Sequence, residues 1–434
     1  MDAQPPRGTR DFPPDAWRLR DWLFSRFRRT TEAFGYELYD APVLERRDWF
    51  TRKAGEEIVE QLYTLEDKSG RELALRPELT PQLARLVLGM GRSMPVPLRW
   101  GAIGQCWRYE RATRGRKREH YQWNLDLLGV DGVEAEAELI AAMVHCMRSM
   151  GLGPEDVVLR VNSRRLLGAR LAAAGVGAAQ FEPVCVLVDK LGKVPREALL
   201  EQLGGLGLDE QTARCALAAA GDEGALDGPA PEGEGDDARE GRASLDRLFE
   251  RLDDYGVAEW AAYDPKVVRG LSYYTGTVWE AFDRKGELRA VAGGGRYDRL
   301  LSVYGGKDVP AAGFGFGDVV IVELLEERGL LPDTTRQIDE YVAPFGEDGL
   351  AAATRLATAL RGDPFEDGTP RRVELQIEPG GMKKALKLAA RAGARRAWLL
   401  TPSELANGQV LRKDLETGEQ TTTPLDELLQ ARAR

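Results

Sequence analysis

The fold is decided by residues 106–128, CWRYERATRGRKREHYQWNLDLL. Cys106 to Tyr109 and Trp123 to Leu128 have the composition of two antiparallel strands, which are joined by a strongly basic loop. Arg108 and Glu110 are alternate residues of the first predicted strand, so their side chains should lie on one face of the sheet. An arginine fork suits a phosphate, and a carboxylate beside it accepts from an exocyclic amine. The pair predicts a nucleotide site, with an exposed hairpin of solvated charges as the simpler alternative.

The basic loop stands out because the rest of the chain is acidic. The formal net charge is −10, yet this loop holds a cluster of basic residues: Arg108, Arg111, Arg114, Arg116, Lys117 and Arg118. The overall charge argues against a protein that coats nucleic acid. The local cluster is nevertheless a candidate binding surface.

Length and composition limit the class of protein. A chain of 434 residues, 43% of them hydrophobic, is too long to fold around a single hydrophobic core, so we expect two or three domains. No apolar run approaches the roughly 20 residues of a membrane-spanning helix, and the N-terminus lacks the apolar stretch of a secretory signal. Four cysteines without paired spacing predict reduced thiols, and two histidines argue against a histidine-based metal site or a Ser-His-Asp triad. We therefore expect a cytoplasmic protein without membrane contact.

Hydrophobic periodicity predicts the helices and strands on both sides of the basic loop. Helices are predicted from an opening at Pro13-Pro14-Asp15 until Gly35, over Thr80–Met90 and over Val133–Met150, and strands over Tyr36–Tyr39, Leu73–Arg76 and Leu98–Trp100. Strands return at Val267–Phe282 and Leu288–Val291, and residues 313–325 are predicted to change from a glycine-rich turn to a helix. These segments predict one large domain.

Two other regions differ from this domain. Residues 155–241 contain short αβ units and end in an acidic run, 221–241, which cannot bury a core and predicts a flexible tip. From residue 331, strands and helices alternate, which indicates a small separate α/β domain. The predicted division is a first domain of residues 1–154 and 242–330, an insertion of residues 155–241 and a last domain of residues 331–434.

Three further clusters are candidates for ligand binding. In Arg269-Gly270-Leu271-Ser272-Tyr273-Tyr274 an arginine and two tyrosines are flanked by glycines, which bring backbone close to a ligand. Residues 292–298, AGGGRYD, suggest a phosphate cradle, although their spacing fits neither a P-loop nor a dinucleotide fingerprint. In Arg76-Pro77-Glu78-Leu79-Thr80, the alternative is structural, with Thr80 as a helix N-cap and Glu78 as a surface charge.

Taken together, the clusters resemble the histidine–tRNA ligase family over nearly the whole chain. The residues that carry the resemblance are Arg7-Gly8-Thr9-Arg10-Asp11, a first class II motif ending at Pro42, Arg76-Pro77-Glu78 with Thr80, a second motif Arg108-Tyr109-Glu110-Arg111, Gln122 with Asp126, Arg269-Gly270-Leu271 with Tyr273-Tyr274, Gly294-Gly295-Arg296-Tyr297-Asp298 and Glu404-Leu405-Ala406-Asn407-Gly408. The resemblance implies an enzyme that activates L-histidine with ATP and transfers it to the 3′ end of tRNA(His).

The resemblance also implies roles for residues on the ATP side of the site. Arg108 would hold the α-phosphate in line, Glu110 would bind the adenine edge and Arg116 would contact the distal phosphates. Arg269 would be a catalytic cation between the substrate carboxylate and the α-phosphate. Mg²⁺ is expected with the pyrophosphate part of ATP. Catalysis would rest on positioning and on charge neutralisation.

The histidine side of the site is implied in the same way. Its residues would be Glu78, Thr80 and Gln122 for the α-amino group and carboxylate, Asp126 and Tyr274 for the two imidazole nitrogens, and Arg269 and Tyr273 at the pocket wall. A pocket that must satisfy two ring nitrogens rejects apolar amino acids, because these leave buried polar groups unpaired.

The implied architecture is α+β. The family resemblance predicts an antiparallel catalytic sheet of six or seven strands, with residues 155–241 inserted over the tRNA acceptor stem and an α/β anticodon-binding domain at the C-terminus. A homodimer is expected, and Trp17, Trp22 and Phe24 suit its buried interface, although packing within one domain explains them as well.

The chain departs from the family pattern at three positions. Val320 occupies the position of the third-motif arginine that clamps the γ-phosphate. The alternatives are compensation by Arg116, Arg118 or Arg296 and membership of a subgroup with a different clamp. Ser272 replaces an aspartate, and Thr113 replaces a frequent glutamine, which bears on how the extra 5′ nucleotide of the tRNA is bound. The alternatives are a histidine-sensing regulatory subunit of ATP phosphoribosyltransferase, which typically lacks the last domain, and a synthetase-like protein that binds RNA without activating histidine.

Overall fold

A computed structural model of the chain describes residues 3–52, 59–91, 94–192, 194–221, 235–268 and 274–430, without the side chain of Asp348. The chain divides into two compact units. The first comprises Met1–Phe12 and Leu19–Pro332, and the second comprises Pro13–Arg18 and Asp333–Arg434. Within the described ranges, no helix has both the length and the apolar character needed to cross a membrane.

The described strands, in chain order, are β1 (Glu37–Leu38), β2 (Leu44–Arg46), β3 (Thr64–Glu66), β4 (Glu72–Leu75), β5 (Leu98–Trp107), β6 (Glu119–Leu128), β7 (Val157–Ser163), β8 (Ala261–Tyr263), β9 (Thr277–Asp283), β10 (Ala292–Arg296), β11 (Ala311–Gly317), β12 (Ile338–Pro344), β13 (Val373–Leu375), β14 (Ala394–Leu400), β15 (Gln409–Asp414) and β16 (Gln420–Pro424).

The described α-helices are α1 (Pro14–Ala33), α2 (Asp48–Thr51), α3 (Thr80–Met90), α4 (Glu134–Ser149), α5 (Arg164–Ala173), α6 (Phe181–Val188), α7 (Arg196–Gly205), α8 (Glu210–Ala219), α9 (Asp236–Asp254), α10 (Leu300–Val303), α11 (Asp318–Glu327), α12 (Glu347–Arg361), α13 (Met382–Arg391), α14 (Pro402–Ala406) and α15 (Leu425–Gln430). Short 3₁₀ turns lie at Ala178–Gln180 and Ala258–Trp260.

The first unit is built on an eight-stranded sheet in the order β1-β5-β6-β11-β10-β9-β7-β8. Its inner six strands pair antiparallel, whereas β1 and β8 pair parallel to their neighbours at the two edges. The α+β class is confirmed, with eight strands in place of the predicted six or seven. The segments predicted as separate strands, Leu98–Trp100 and Cys106–Tyr109, belong to one strand, β5, which ends at Trp107 and leaves Arg108 and Tyr109 outside it.

One face of this sheet is covered by α1, α4 and α9, which makes the main core. Leu23 and Phe27 of α1 and Leu139 of α4 pack with Trp123 of β6 and Trp279 of β9 in this core. The ring of Phe27 stacks on that of Trp123 at 5.0 Å, and the indole of Trp123 donates to the hydroxyl of Thr31 at 3.0 Å. With one face filled by aromatic packing, the opposite face is left for the site.

The secondary structure predicted for two glycine-rich segments was wrong. The run at residues 292–296 is strand β10 and not a cradle loop, and the predicted strand Leu288–Val291 precedes it as a loop. Residues 311–317 are strand β11 and not a turn. Glycine is depleted in strands and marks turns in sequence, so both central strands resembled loops.

The first residues of the predicted insertion belong to the large sheet. Val157–Ser163 is β7, a strand of the large sheet, although residue 155 was the predicted boundary. The helices α5–α8 follow and enclose a separate apolar core that includes Leu171, Val184 and Leu217. Most of the acidic segment, residues 222–234, lies outside the described residues, and α9 begins at Asp236.

Two smaller sheets complete the description. In the first unit, β2, β4 and β3 form a three-stranded antiparallel sheet. In the second unit, a five-stranded sheet has the order β13-β12-β14-β15-β16 and has apolar clusters on both faces. Its alternating strands and helices agree with the α/β pattern of the sequence.

Candidate active site

The floor of the site is the face of the large sheet that α1 and α4 leave uncovered. On β6, Gln122, Asn124 and Asp126 alternate along this face. Opposite them on β11 stand Gly317, Gly315 and Gly313, in that order. A Cβ atom at Gly315 would lie 2.5 Å from the side-chain nitrogen of Gln122, so the glycine is needed for space. The glycine strands therefore open the site by lacking side chains.

The first cavity, of about 370 Å³, lies over the middle of this floor. Its lining residues are Glu78, Thr80, Arg108, Gln122, Asn124, Asp126, Tyr274, Gly293, Tyr297, Gly313, Phe314 and Gly315. Every described residue that the sequence predicted for histidine binding is among them. We call this the histidine pocket, after that prediction.

Asp126 is the most buried polar group of the histidine pocket. It is 1% exposed, and Tyr297 donates its hydroxyl to Asp126 Oδ1. Burial raises the pKa of Asp126 to about 7, which the nearby Glu78 carboxylate also favours, while the Tyr297 hydrogen bond opposes the rise. Asp126 Oδ2 has no hydrogen-bond partner among the described residues. A ligand N–H would satisfy this acceptor.

One wall of the histidine pocket comes from the segment between β4 and α3. Arg76 is 2% exposed and donates to the carbonyls of Gln105 and Ala41, both at 2.8 Å, which anchors the segment. The helix begins at Thr80, and its N-cap is Leu79 without a side-chain cap, so the N-cap interpretation of Thr80 was wrong. Thr80 is buried and faces the histidine pocket with Glu78.

The second cavity, of about 790 Å³, adjoins the first. Its lining residues are Arg108, Glu110, Gly115, Arg116, Lys117, His120, Gln122, Glu280, Arg289, Ala290, Val291, Ala292, Gly293, Gly315, Gly317, Val319 and Val320. Arg108, Gln122, Gly293 and Gly315 line both cavities, so the two form one continuous cleft. We call this the nucleotide cavity.

The predicted pair Arg108 and Glu110 does not lie on a strand, because β5 ends at Trp107. Both side chains nevertheless line the nucleotide cavity. Arg108 donates to the carbonyl of Pro77 at 3.0 Å, and Arg116 pairs with Glu110 at 2.9 Å. His120 lines the same cavity, and burial, together with the charges of Arg108 and Arg10, lowers its pKa to about 3.

Two of the cations expected to replace the missing arginine lie elsewhere. Arg296 is bound to the buried carboxylate of Glu136, at 2.6 and 2.7 Å, and to nearby carbonyls. It therefore joins β10 to α4. Arg118 lies over the ring of Tyr109 at 4.1 Å and donates to the carbonyl of Glu110. Neither residue lines the nucleotide cavity.

Of the predicted segment 269–274, the structure describes Tyr274 alone. Arg269, Ser272 and Tyr273 lie outside the described residues, whereas Tyr274 is described and buried at 6% exposure. Its ring packs against Gly295, where a Cβ atom would come within 2.7 Å of it. Tyr274 and Tyr297 have their ring centroids 6.1 Å apart.

Sequence reasoning gave no individual role to Tyr297, Asn124, Glu280 and Arg289, which all line the cleft. Tyr297 was quoted only as part of a motif. Asn124 could have been found, because it lies between Gln122 and Asp126 in the period of two on β6. Arg289 offered no such signal, because its place depends on how the loop before β10 folds.

Comparisons with known proteins agree with this geometry. A profile of the histidyl-tRNA synthetase family matches residues 8–317. The chain is 48% identical over 428 residues to the chloroplastic/mitochondrial histidine–tRNA ligase of Arabidopsis thaliana, which covers 99% of this chain and 86% of that protein. The chain belongs to the histidine–tRNA ligase family. The histidine–tRNA ligase of Opitutus terrae is 40% identical over 425 residues, covering 97% and 96% of the two chains.

Solved structures show the same fold. The histidyl-tRNA synthetase from Nostoc sp. PCC 7120 superposes with a TM-score of 0.77 at 21% identity, covering 99% of this chain and all of that one. The apo histidyl-tRNA synthetase of S. aureus gives 0.75 at 24% identity, with both chains fully covered. Membership of the family makes the chain a class II aminoacyl-tRNA synthetase with histidine–tRNA ligase activity, for which ATP is a substrate.

Proposed function

We propose that the two adjoining cavities hold the two substrates of the first half-reaction, with histidine in the histidine pocket and ATP in the nucleotide cavity. The observation that carries the assignment is the shared boundary of Arg108, Gln122, Gly293 and Gly315. The substrate carboxylate and the α-phosphate must meet where the cavities join. Arg108 is the cation at this junction.

In the histidine pocket, the proposed recognition is by charge and hydrogen bonding. The carboxylate of Glu78 would bind the α-ammonium group, with Thr80 and Gln122 orienting the backbone atoms of the amino acid. Asp126 would accept from one imidazole nitrogen, and Tyr274 would donate to the other. Asp126 Oδ2, which has no hydrogen-bond partner in the part of the chain that the structure describes, supports this role, since a buried acceptor needs a donor.

The first chemical step is an in-line displacement at phosphorus. A carboxylate oxygen of histidine forms a bond to the α-phosphorus of ATP, the bond from that phosphorus to the bridging oxygen breaks, and pyrophosphate leaves with the electron pair. Arg108 would neutralise charge that develops on the α-phosphate, and Glu110 would accept from the adenine amine. Arg116, which pairs with Glu110 at 2.9 Å, would contact the distal phosphates.

For Arg269 and Tyr273 the proposal rests on the family motif alone. Arg269 would bridge the substrate carboxylate and the α-phosphate, and Tyr273 would line the imidazole pocket. Tyr273 directly precedes Tyr274, which lines the histidine pocket, and Arg269 is five residues before Tyr274 in the sequence.

Mg²⁺ is proposed as the partner of ATP. In the described ranges, no three side chains of His, Cys, Asp or Glu converge as a metal site. Mg²⁺ commonly takes one or two carboxylates and completes its shell with phosphates and water. Glu280 is a carboxylate on the wall of the nucleotide cavity and fits that donor set. When bound, the ion would neutralise charge on the departing pyrophosphate.

The second half-reaction transfers the histidyl group to tRNA(His). The terminal ribose hydroxyl attacks the activated carbonyl, the ester forms and AMP leaves. We assign the large-sheet unit to catalysis, the helices α5–α8 to the acceptor stem and the C-terminal unit to the anticodon. These assignments follow the family resemblance.

A homodimer is also proposed from the family. Of the three aromatic residues expected at its interface, Phe24 and Trp22 pack onto the core of the same chain. The ring centroid of Phe24 lies 5.1 Å from that of Tyr121. Trp17 is 53% exposed, so it is the one of the three that a partner subunit would cover.

The proposed compartment is a reducing one, the cytoplasm. The four cysteines are all free, and burial raises the pKa of Cys106 and Cys146 to about 12, which disfavours their reactive thiolate. The Arabidopsis relative carries an organellar name, so an organelle matrix is the alternative that localisation would test.

The test of the proposed site is ATP–pyrophosphate exchange driven by histidine. We expect exchange with histidine and not with other amino acids. Arg108→Ala should lower the rate by about a thousandfold, the scale of losing one preorganised charge partner. Arg111→Ala is the matched control, because Arg111 is an exposed arginine of the same loop that lines neither cavity.

Each outcome separates the alternatives. Exchange that is equal in both variants would remove Arg108 from the reaction centre. A protein that binds histidine without exchange would instead be a sensor, as in the regulatory-subunit alternative. A solved structure from Bacillus halodurans, whose name gives both an ATP phosphoribosyltransferase regulatory subunit and a histidyl-tRNA synthetase, has a TM-score of 0.72 at 21% identity. The fold alone therefore does not distinguish a regulatory subunit from a synthetase.

A further inference from the structure

The nucleotide cavity has an apolar side chain where a phosphate-binding cation is needed. Val320, on the first turn of α11, is buried and lines this cavity. The helix itself, DVVIVELLEE, contains no lysine or arginine. Arg328, the first cation after it, pairs with Asp156 at 2.6 Å. Helix α11 therefore supplies no positive side chain to the distal phosphates of ATP.

Arg289 approaches the same part of the cavity from a different element. It lies on the loop between β9 and β10, and its exposed side chain lines the cavity. A Cβ atom placed on Gly115 would be 3.4 Å from a methyl group of Val320 and 3.9 Å from Cδ of Arg289. Glu323 Oε2 would lie 3.8 Å from the same Cβ atom, so the two side chains and this carboxylate all lie within 4 Å of one point.

The loop that carries Arg289 is fixed on both sides. Before it, Leu288 is buried and its N–H donates to the carboxylate of Asp283 at 2.9 Å. After it, Val291 is buried, and its N–H donates to the carbonyl of Ala281 at 2.8 Å. A long side chain that leaves a fixed backbone loses less freedom on binding than one on an unrestrained loop.

Three other cationic side chains line the cavity, those of Arg108, Arg116 and Lys117. Arg116 pairs with Glu110, and Arg108 is bound to the carbonyl of Pro77 at the junction with the histidine pocket. Arg108 therefore suits the α-phosphate. Arg289 lines the cavity beside Val320, the position where the family pattern has its arginine, and it does not line the histidine pocket.

We propose that Arg289 binds the β- and γ-phosphates of ATP and takes the place of the arginine that Val320 replaces. This inference rests on the proposed placement of ATP in the nucleotide cavity. An arginine can hold two phosphate oxygens at once, so its planar fork supplies the clamp from the loop before β10.

The experiment compares nucleotides that differ only in their phosphates. Binding of ATP and AMP to the full-length protein is measured by calorimetry for wild type and for Arg289→Ala. We expect ATP to bind about tenfold more weakly to the variant, as for a lost charge-assisted contact, whereas AMP should bind within about twofold of wild type. Lys285→Ala is the control, because it removes an exposed charge from the same loop without lining the cavity.

A double variant tests directly whether an arginine at position 320 can replace Arg289 in binding the phosphates. Adding Val320→Arg to Arg289→Ala should restore most of the lost ATP affinity, since both side chains flank Gly115. No recovery would overturn the claim that Arg289 stands in for an arginine at position 320. Unchanged ATP binding by Arg289→Ala, or an equal loss for AMP, would overturn the phosphate contact itself. If the wild-type protein gave no histidine-dependent exchange, the proposed function would fail independently of these results.

Discussion

The histidine pocket and the nucleotide cavity adjoin, but they are built differently. Much of the histidine pocket is lined by residues on neighbouring strands of one sheet, and its central groups, Asp126 and Tyr297, are 1% and 2% exposed. The nucleotide cavity takes several of its charged groups from loops, among them Glu110, Arg116 and Arg289, and takes Glu280 from strand β9. The first is a buried recognition site with several polar contacts, and the second is a more exposed site with several cations.

The difference predicts how each cavity responds to mutation. A buried polar group that loses its partner incurs a desolvation penalty of a few kcal/mol, whereas a partly exposed charge is screened by water. Several cations also share the phosphates, so each loss is partly offset by the others. Changes in the histidine pocket should therefore be larger and more selective than changes in the nucleotide cavity.

The largest effect is expected for Asp126→Asn. With the amide oxygen accepting from the Tyr297 hydroxyl, the amide nitrogen would face the imidazole N–H from which the carboxylate is proposed to accept. We expect kcat/KM for histidine to fall by about a thousandfold or more, with the KM for ATP changed by less than about threefold. Exchange kinetics with each substrate varied in turn measure both values. An equal loss toward ATP would contradict the separation of the two cavities.

A smaller and more local change compares two glycines of β11. Gly313→Ala places a methyl group against Asp126, Tyr297 and the backbone of Leu125 at the floor of the histidine pocket. Gly317→Ala, in the nucleotide cavity, meets nothing closer than 3.9 Å. We expect the first to raise the KM for histidine by about a hundredfold, on the scale of a few kcal/mol for overpacking, and the second to change either KM by less than about threefold. Equal effects would show that the pocket floor is less tightly packed than the structure indicates.

The same contrast explains what the sequence could predict. Gln122 and Asp126 were expected together, and they lie on one face of β6 because residues four apart on a strand share a face. Helix α3 begins and ends at the predicted residues, Thr80 and Met90, since its apolar spacing is regular. Local periodicity was sufficient in both cases.

Other features depend on partners that are distant in sequence. The glycines of β10 and β11 resembled turns, because only the packing of Gln122, Tyr274 and Trp279 against them shows why side chains are excluded. Arg296 was a candidate phosphate ligand, but it is neutralised by Glu136, which is 160 residues away. No local pattern predicts such a contact, so the ion pair and the loop position of Arg289 required the tertiary structure.

The next prediction concerns pH and affects only the histidine pocket. Burial raises the pKa of Asp126 to about 7, so its carboxylate is lost as pH falls below that value. The substrate ring also gains a proton near its usual pKa of about 6.5. We expect the KM for histidine to rise about tenfold between pH 7.5 and pH 6. A flat profile over this range would contradict the role of Asp126 as an acceptor.

The variant Tyr297→Phe sharpens this test. The Tyr297 hydrogen bond lowers the pKa of Asp126, so removing it should move the midpoint of the profile to higher pH. Asp126→Asn is the control, because its profile should retain only the titration of the substrate. A midpoint that moves to lower pH in Tyr297→Phe would show that this hydroxyl does not stabilise the carboxylate.

The smallest effect is on stability without substrate. Because the pKa of Asp126 is raised from 3.8 to about 7 in the folded chain, its carboxyl favours the unfolded state increasingly as pH rises through that window. Asp126→Asn removes this penalty, so the advantage of the variant in free energy of unfolding should grow by about 2 kcal/mol between pH 5.5 and pH 8. Denaturant unfolding at the two pH values measures it. A difference independent of pH would mean that the carboxylate is as well solvated as those of the open cavity, and the contrast between the two cavities would then lose its physical basis.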